Sequence, residues 1–104
     1  MITAINLANT NTTESFLSDG ENGITTLMIC NHHATTSAVV NVWVVPQGQV
    51  AGNANQILKN LTIVASDTFV MDMEKLVLSD GDTIMSQADV ADVVNTVISS
   101  MAVA

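Results

Sequence analysis

The residues best equipped for chemistry are two adjacent histidines, His32 and His33, and the carboxylates Asp72, Glu74, Asp80 and Asp82. Neighbouring histidines can ligate a transition metal. A zinc site needs three or four ligands, however, and the flanking Asn31, Ala34 and Thr35 supply none of the usual kinds. Side chains next to each other on an extended chain also diverge. The acidic stretch invites a comparison with calcium loops, but its spacing does not follow the alternating oxygens and closing Glu of an EF-hand. Aspartates in turns commonly serve local backbone hydrogen bonds instead. For catalysis, nothing places two carboxylates across a pocket. The chain also has no Tyr, no Arg and no Gly-x-Ser-x-Gly element. These residues point away from an enzyme and imply no cofactor and no metal.

Trp43 is the sharpest single residue. It lies in Val39-Val-Asn-Val-Trp-Val-Val45, the strongest strand signal in the chain. Alternation sends Val40, Val42 and Val44 one way, and Asn41, Trp43 and Val45 the other. Trp43 is therefore covered by the chain's own loops or available to a partner, and Trp is a frequent interface anchor. Contact with a partner is expected of Trp43, of His32 and His33, and of Gln47, Val50 and Asn53 in the loop 47–55. That loop is either a mobile surface connection or an arm laid on a neighbour. At low pH the two histidines would add positive charge to an acidic surface.

These residues need strands to hold them. Thr25–Cys30 and Val39–Val45 read as the two arms of a hairpin joined by residues 31–38, the element around which the chain is organised. Residues 2–8 alternate Ile2, Ala4 and Asn6 against Thr3, Ile5 and Leu7, as an edge strand or arm that could add to a neighbouring sheet. Residues 14–18 form a short strand, and Asp19–Gly23 a turn. Pro46 ends the second arm of the hairpin. Residues 56–65 read as a turn or one helical coil followed by a strand. Thr68–Asp72 and Glu74–Leu78 are separate strands, Ser79–Asp82 is a turn, and another strand begins at Thr83.

The C-terminal stretch carries Val90, Val93, Val94, Val97, Ile98 and Met101 at helical spacing. Its Val, Ile, Thr, Ser and Asn content favours a strand, and that is the reading adopted. About eight short strands separated by turn signals indicate an all-β, antiparallel β-sandwich of jelly-roll-like type, a single domain over 1–104.

The charge balance narrows the partners. The formal net charge is −8 and only Lys59 and Lys75 are positive. That excludes nucleic-acid phosphates and anionic membrane surfaces as natural partners. No apolar run reaches the roughly 18 residues of a membrane helix. Met1 leads into Ile-Thr-Ala-Ile without a basic segment, so no secretory signal is expected. Cys30 is the only cysteine. It fits synthesis in a reducing cytoplasm and reads as a small buried hydrophobe. Charged residues make up 12% of the chain, against roughly 25% in ordinary globular domains, while mean hydropathy is +0.42. Such a surface implies either Asn, Thr and Ser as solubilising groups or extensive cover by other subunits.

Several stretches together resemble a group of small virion proteins of tailed bacteriophages of cyanophage and marine type. They are Thr25-Thr-Leu-Met-Ile-Cys-Asn31, Val39–Val45 with Pro46-Gln-Gly48, Ile57-Leu-Lys-Asn-Leu61, Ser66-Asp-Thr-Phe-Val-Met-Asp72, Glu74-Lys-Leu-Val-Leu78 and Gly81-Asp-Thr-Ile84. Order and spacing carry the likeness, and none of its motifs is catalytic. The resemblance implies a β-sandwich assembled in many copies on a phage particle made in the bacterial cytoplasm. Its partners would be further copies of itself and other virion proteins such as the major capsid protein. Capsid decoration or cementing is the expected role. A neck, tail or baseplate component is the alternative, and a carbohydrate-binding tip module a third, disfavoured by an aromatic content of 3%.

Overall fold

A computed structural model of the chain describes residues 1–103, the side chains of Glu74 and Lys75 excepted. Eight strands are present among them: β1 (Ile2–Asn6), β2 (Thr13–Leu17), β3 (Asn22–Asn31), β4 (Ala38–Val45), β5 (Gln56–Ile63), β6 (Thr68–Leu78), β7 (Thr83–Ala88) and β8 (Val94–Ala102). They form two four-stranded sheets. Sheet I has the order β1-β8-β3-β6 and sheet II the order β2-β7-β4-β5. All pairings are antiparallel.

The pairs β1·β8, β2·β7, β3·β6 and β4·β5 describe one long ribbon, the first half of the chain running beside the second. Rolling that ribbon up adds the pairs β3·β8 and β4·β7. This is the jelly roll, two sheets face to face with their inner side chains making one core. Alternation decides which side chains enter it. Ile24, Leu27 and Ile29 of β3, with Ile98 beside them on β8, face Val40 and Val42 of β4 and Ile84 of β7, all fully buried. Each such side chain contributes about 1.5–3 kcal/mol by leaving water.

The expected hairpin of Thr25–Cys30 with Val39–Val45 does not form. β3 belongs to sheet I and β4 to sheet II, and residues 32–37 arch from one to the other. The connection contains no glycine and no residue with positive φ, so nothing in it makes the tight reversal of a hairpin. Asn31 secures the crossing. It is fully buried, and its Nδ2 donates to the carbonyls of Thr36 and Ile63, each at 2.9 Å, while its Oδ1 accepts from His33 N at 3.0 Å. The sequential hairpin is β4–β5, with residues 46–55 as its tip.

Two further expectations change. Residues 56–61 hold no helical coil, because β5 begins at Gln56 and absorbs its irregularity in register shifts, with Asn60 at φ 54. Thr68–Asp72 and Glu74–Leu78 are one strand, β6, interrupted only by a register shift against β3. The C-terminal segment is strand, with Val94, Thr96 and Ile98 turned inward as their alternation requires.

Candidate interaction surfaces

The residues expected to meet partners fall into two groups at opposite ends of the sandwich. His32 and His33 are exposed in the β3–β4 arch, while Gln47, Val50 and Asn53 are exposed in the β4–β5 loop. The length of β4 separates the two loops by roughly 23 Å at strand rise. The expected contact residues therefore form no single patch.

At the arch end the two histidines have unlike roles. His33 Nδ1 accepts the backbone N–H groups of Thr35 and Thr36 at 3.1 and 3.0 Å, which places the proton of a neutral ring on Nε2. His32 donates its backbone N–H to Val93 O, and its Nε2 lies 3.3 Å from Asn6 Oδ1. Asn6 Nδ2 in turn donates to Asp92 Oδ1 at 3.0 Å. Among the described residues no three His, Cys, Asp or Glu side chains are grouped to hold a metal ion. The turn aspartates act on backbone. Asp82 accepts from Gln47 N and Ser79 N, and Asp80 from Gly20 N. The Glu74 side chain considered with them lies outside the described set.

At the other end the β4–β5 loop is tied down by its own side chains. Asn55 Nδ2 donates to Val50 O and Asn55 Oδ1 accepts from Gly52 N. Gln47 packs over Gly81, where a Cβ would sit 2.7 Å from the Gln47 side chain. Gly81 is at φ +87, so a side chain there would be strained as well. The loop returns beside the outer face of sheet II and leaves a shallow groove among Thr12, Val45, Val50, Thr83 and Met85. Val45 is almost fully buried, whereas Val50 is 84% exposed.

Trp43 lies on that outer face, as alternation predicts, and is half-buried between Met85 of β7 and Gln56 of β5. Beside it runs a polar chain across three strands. Asn41 Nδ2 donates to Gln87 Oε1, and Asn41 Oδ1 accepts from Gln56 Nε2, both at 2.9 Å, and from Asn60 N at 2.8 Å. Gln87 continues it to the carbonyl of Thr10.

The outer face of sheet I is different, and the sequence reading missed it. By register, Ala4, Val97, Met28 and Val70 form one row across all four strands. Ile2, Ser99, Thr26 and Asp72 form the next row, and Asn6, Asn95, Cys30 and Thr68 the one beyond. Ile2, Val70, Val77 and Met101 are each more than half exposed. Among the described side chains Asp72 is the one charge in these rows. Cys30, expected in the core, is half-buried on this outer side. The signal was present as uncharged alternate positions in β1, β3 and β8. Placing β3 and β4 in one hairpin hid it, because β3 pairs with β6 and β8 instead.

No protein-family model, curated protein or solved structure matches the chain. No helix among the described residues is long and apolar enough to cross a membrane.

Proposed function

We propose that this protein is a structural subunit of a bacteriophage particle, a decoration or cement protein that stabilises the head through contacts between subunits. The outer face of sheet I carries the reading. A chain of net charge −8 repels its own copies, and it can pack against them only where its carboxylates are absent. The face built on Ala4, Val97, Met28 and Val70 is such a place. Apolar area covered there contributes about 25 cal/mol per Å². The eight-stranded jelly roll is an architecture that capsid domains use, although a fold by itself names no task. Trp43 with the exposed Val50, and the arch with His32 and His33, are two further surfaces, suited to the major capsid protein or another virion component.

The test is a census of purified particles of the phage that encodes the chain, by quantitative mass spectrometry. A copy number on the scale of the capsid lattice is expected. A few copies per particle would move the protein to the neck, tail or baseplate. Its absence from particles would end the proposal.

A further inference from the structure

We propose that the free edge of β1 pairs with the same edge of a second copy, joining two sandwiches through one continuous eight-stranded sheet. This rests on the assembly reading above and names the contact.

Proteins protect exposed sheet edges with charges, prolines, bulges or twisted backbone, because an unpaired ladder recruits strands. Three of the four edges here carry such devices. β2 is bulged between Glu14 and Phe16, with Glu14 exposed. β5 has two register shifts against β4, an exposed Lys59 and the left-handed Asn60. β6 is interrupted opposite Ile24 and Thr26 and contains Asp72. β1, Ile-Thr-Ala-Ile-Asn, pairs with β8 in unbroken register and has no charge, proline or bulge.

The geometry selects the occupant. Met1 and Ser100 exchange backbone hydrogen bonds, and Leu7 N donates to Val94 O. Antiparallel alternation then makes Thr3 and Ile5 the residues bonded to β8. The N–H and C=O groups of Ile2, Ala4 and Asn6 therefore point to the open side. An antiparallel copy with its two-fold axis at Ala4 sets Ala4 against Ala4, Ile2 against Asn6 and Asn6 against Ile2. All six outward groups of each strand are then satisfied at once.

The side chains agree with this register. The small Ala4 lies at the axis, and Thr3 meets Ile5 of the second copy on the core side, a favourable β-branched pair. No carboxylate of one β1 meets a carboxylate of the other, which a self-contact in so acidic a chain requires.

Full-length protein, with any tag placed at the C-terminus, is followed by sedimentation velocity over a dilution series. Ala4→Pro removes an N–H that faces away from β8, a position where an edge strand tolerates proline. Ala4→Lys sets two like charges at the axis. The wild type is expected to be a dimer, and each variant to raise the dissociation constant by about a hundredfold or more while keeping a cooperative melt. Amides of Ile2, Ala4 and Asn6 should be protected from hydrogen exchange in the dimer and lose protection on dilution, while Thr3 and Ile5 stay protected.

A wild type that associates undiminished in both variants overturns the edge contact and leaves the assembly reading standing. Fast exchange at Ala4 in the dimer, as when a different surface mediates it, also overturns it. So does a monomer at every concentration, the particle census then judging assembly independently.

Discussion

The two sheets share a core, yet among the described residues only sheet II links polar side chains to one another from strand to strand. In sheet II the polar side chains bond to one another. Ser15 Oγ donates to Ser86 Oγ at 2.8 Å inside the core, and Gln87, Asn41 and Gln56 are linked across the outer face. Both of its edges are irregular. In sheet I the buried Thr96 hydroxyl has no partner, the outer rows are mostly apolar or hydroxyl-bearing, and the β1 edge is straight. Sheet II is finished within one molecule. Sheet I keeps exposed apolar side chains and an unprotected edge, and the proposed association uses that side.

The largest expected effect concerns the tie between the sheets. Asn31→Ala should cost about 2–4 kcal/mol, because it orphans the buried carbonyl of Ile63 and the part-buried one of Thr36. Urea denaturation measures this directly. A loss under about 1 kcal/mol would mean the arch holds without the side chain.

Asn41→Ala should cost about 1–2 kcal/mol by removing three hydrogen bonds on a half-exposed face. It should leave sedimentation unchanged. A change in association would move the contact surface to sheet II and reverse the contrast.

Thr96→Val is expected to stabilise the protein by about 1 kcal/mol, since it replaces an unpaired buried hydroxyl with a methyl of similar shape. Ser86→Ala should do the opposite, leaving Ser15 without its partner. The thermal midpoint should shift by about 4–8 °C in each direction. Shifts of the same sign would show that the two inner faces are equivalent.

The smallest effect on stability is at Val70, which is 59% exposed. Val70→Lys should leave the urea midpoint equivalent to within about 0.5 kcal/mol, as exposed substitutions do. Its retention on particles should fall, because the lysine must be desolvated when the face is covered. Unaltered retention would remove that face from the assembly contacts.

Much of this architecture was legible in the residues. Alternation in Val39–Val45 correctly turned Val40 and Val42 inward and Trp43 outward. Asp80-Gly81 marked a turn, and the Val, Ile and Thr content of 94–102 outweighed its helical spacing. The surfaces were legible only in part. Val50, expected to meet a partner, lies exposed in its loop, but the row from Ala4 to Val70 was not seen, because its members are spread along the chain and meet only through pairing.

Strand identity and facing depend on neighbours one or two residues away, so the chain determines them locally. Partner choice does not. β3 pairs with β6 and β8 rather than β4, and in this rolled ribbon the inner faces of both sheets are buried together. That condition involves the whole molecule, and no stretch of sequence contains it. The tertiary structure alone decided which edge stayed straight and which face stayed bare.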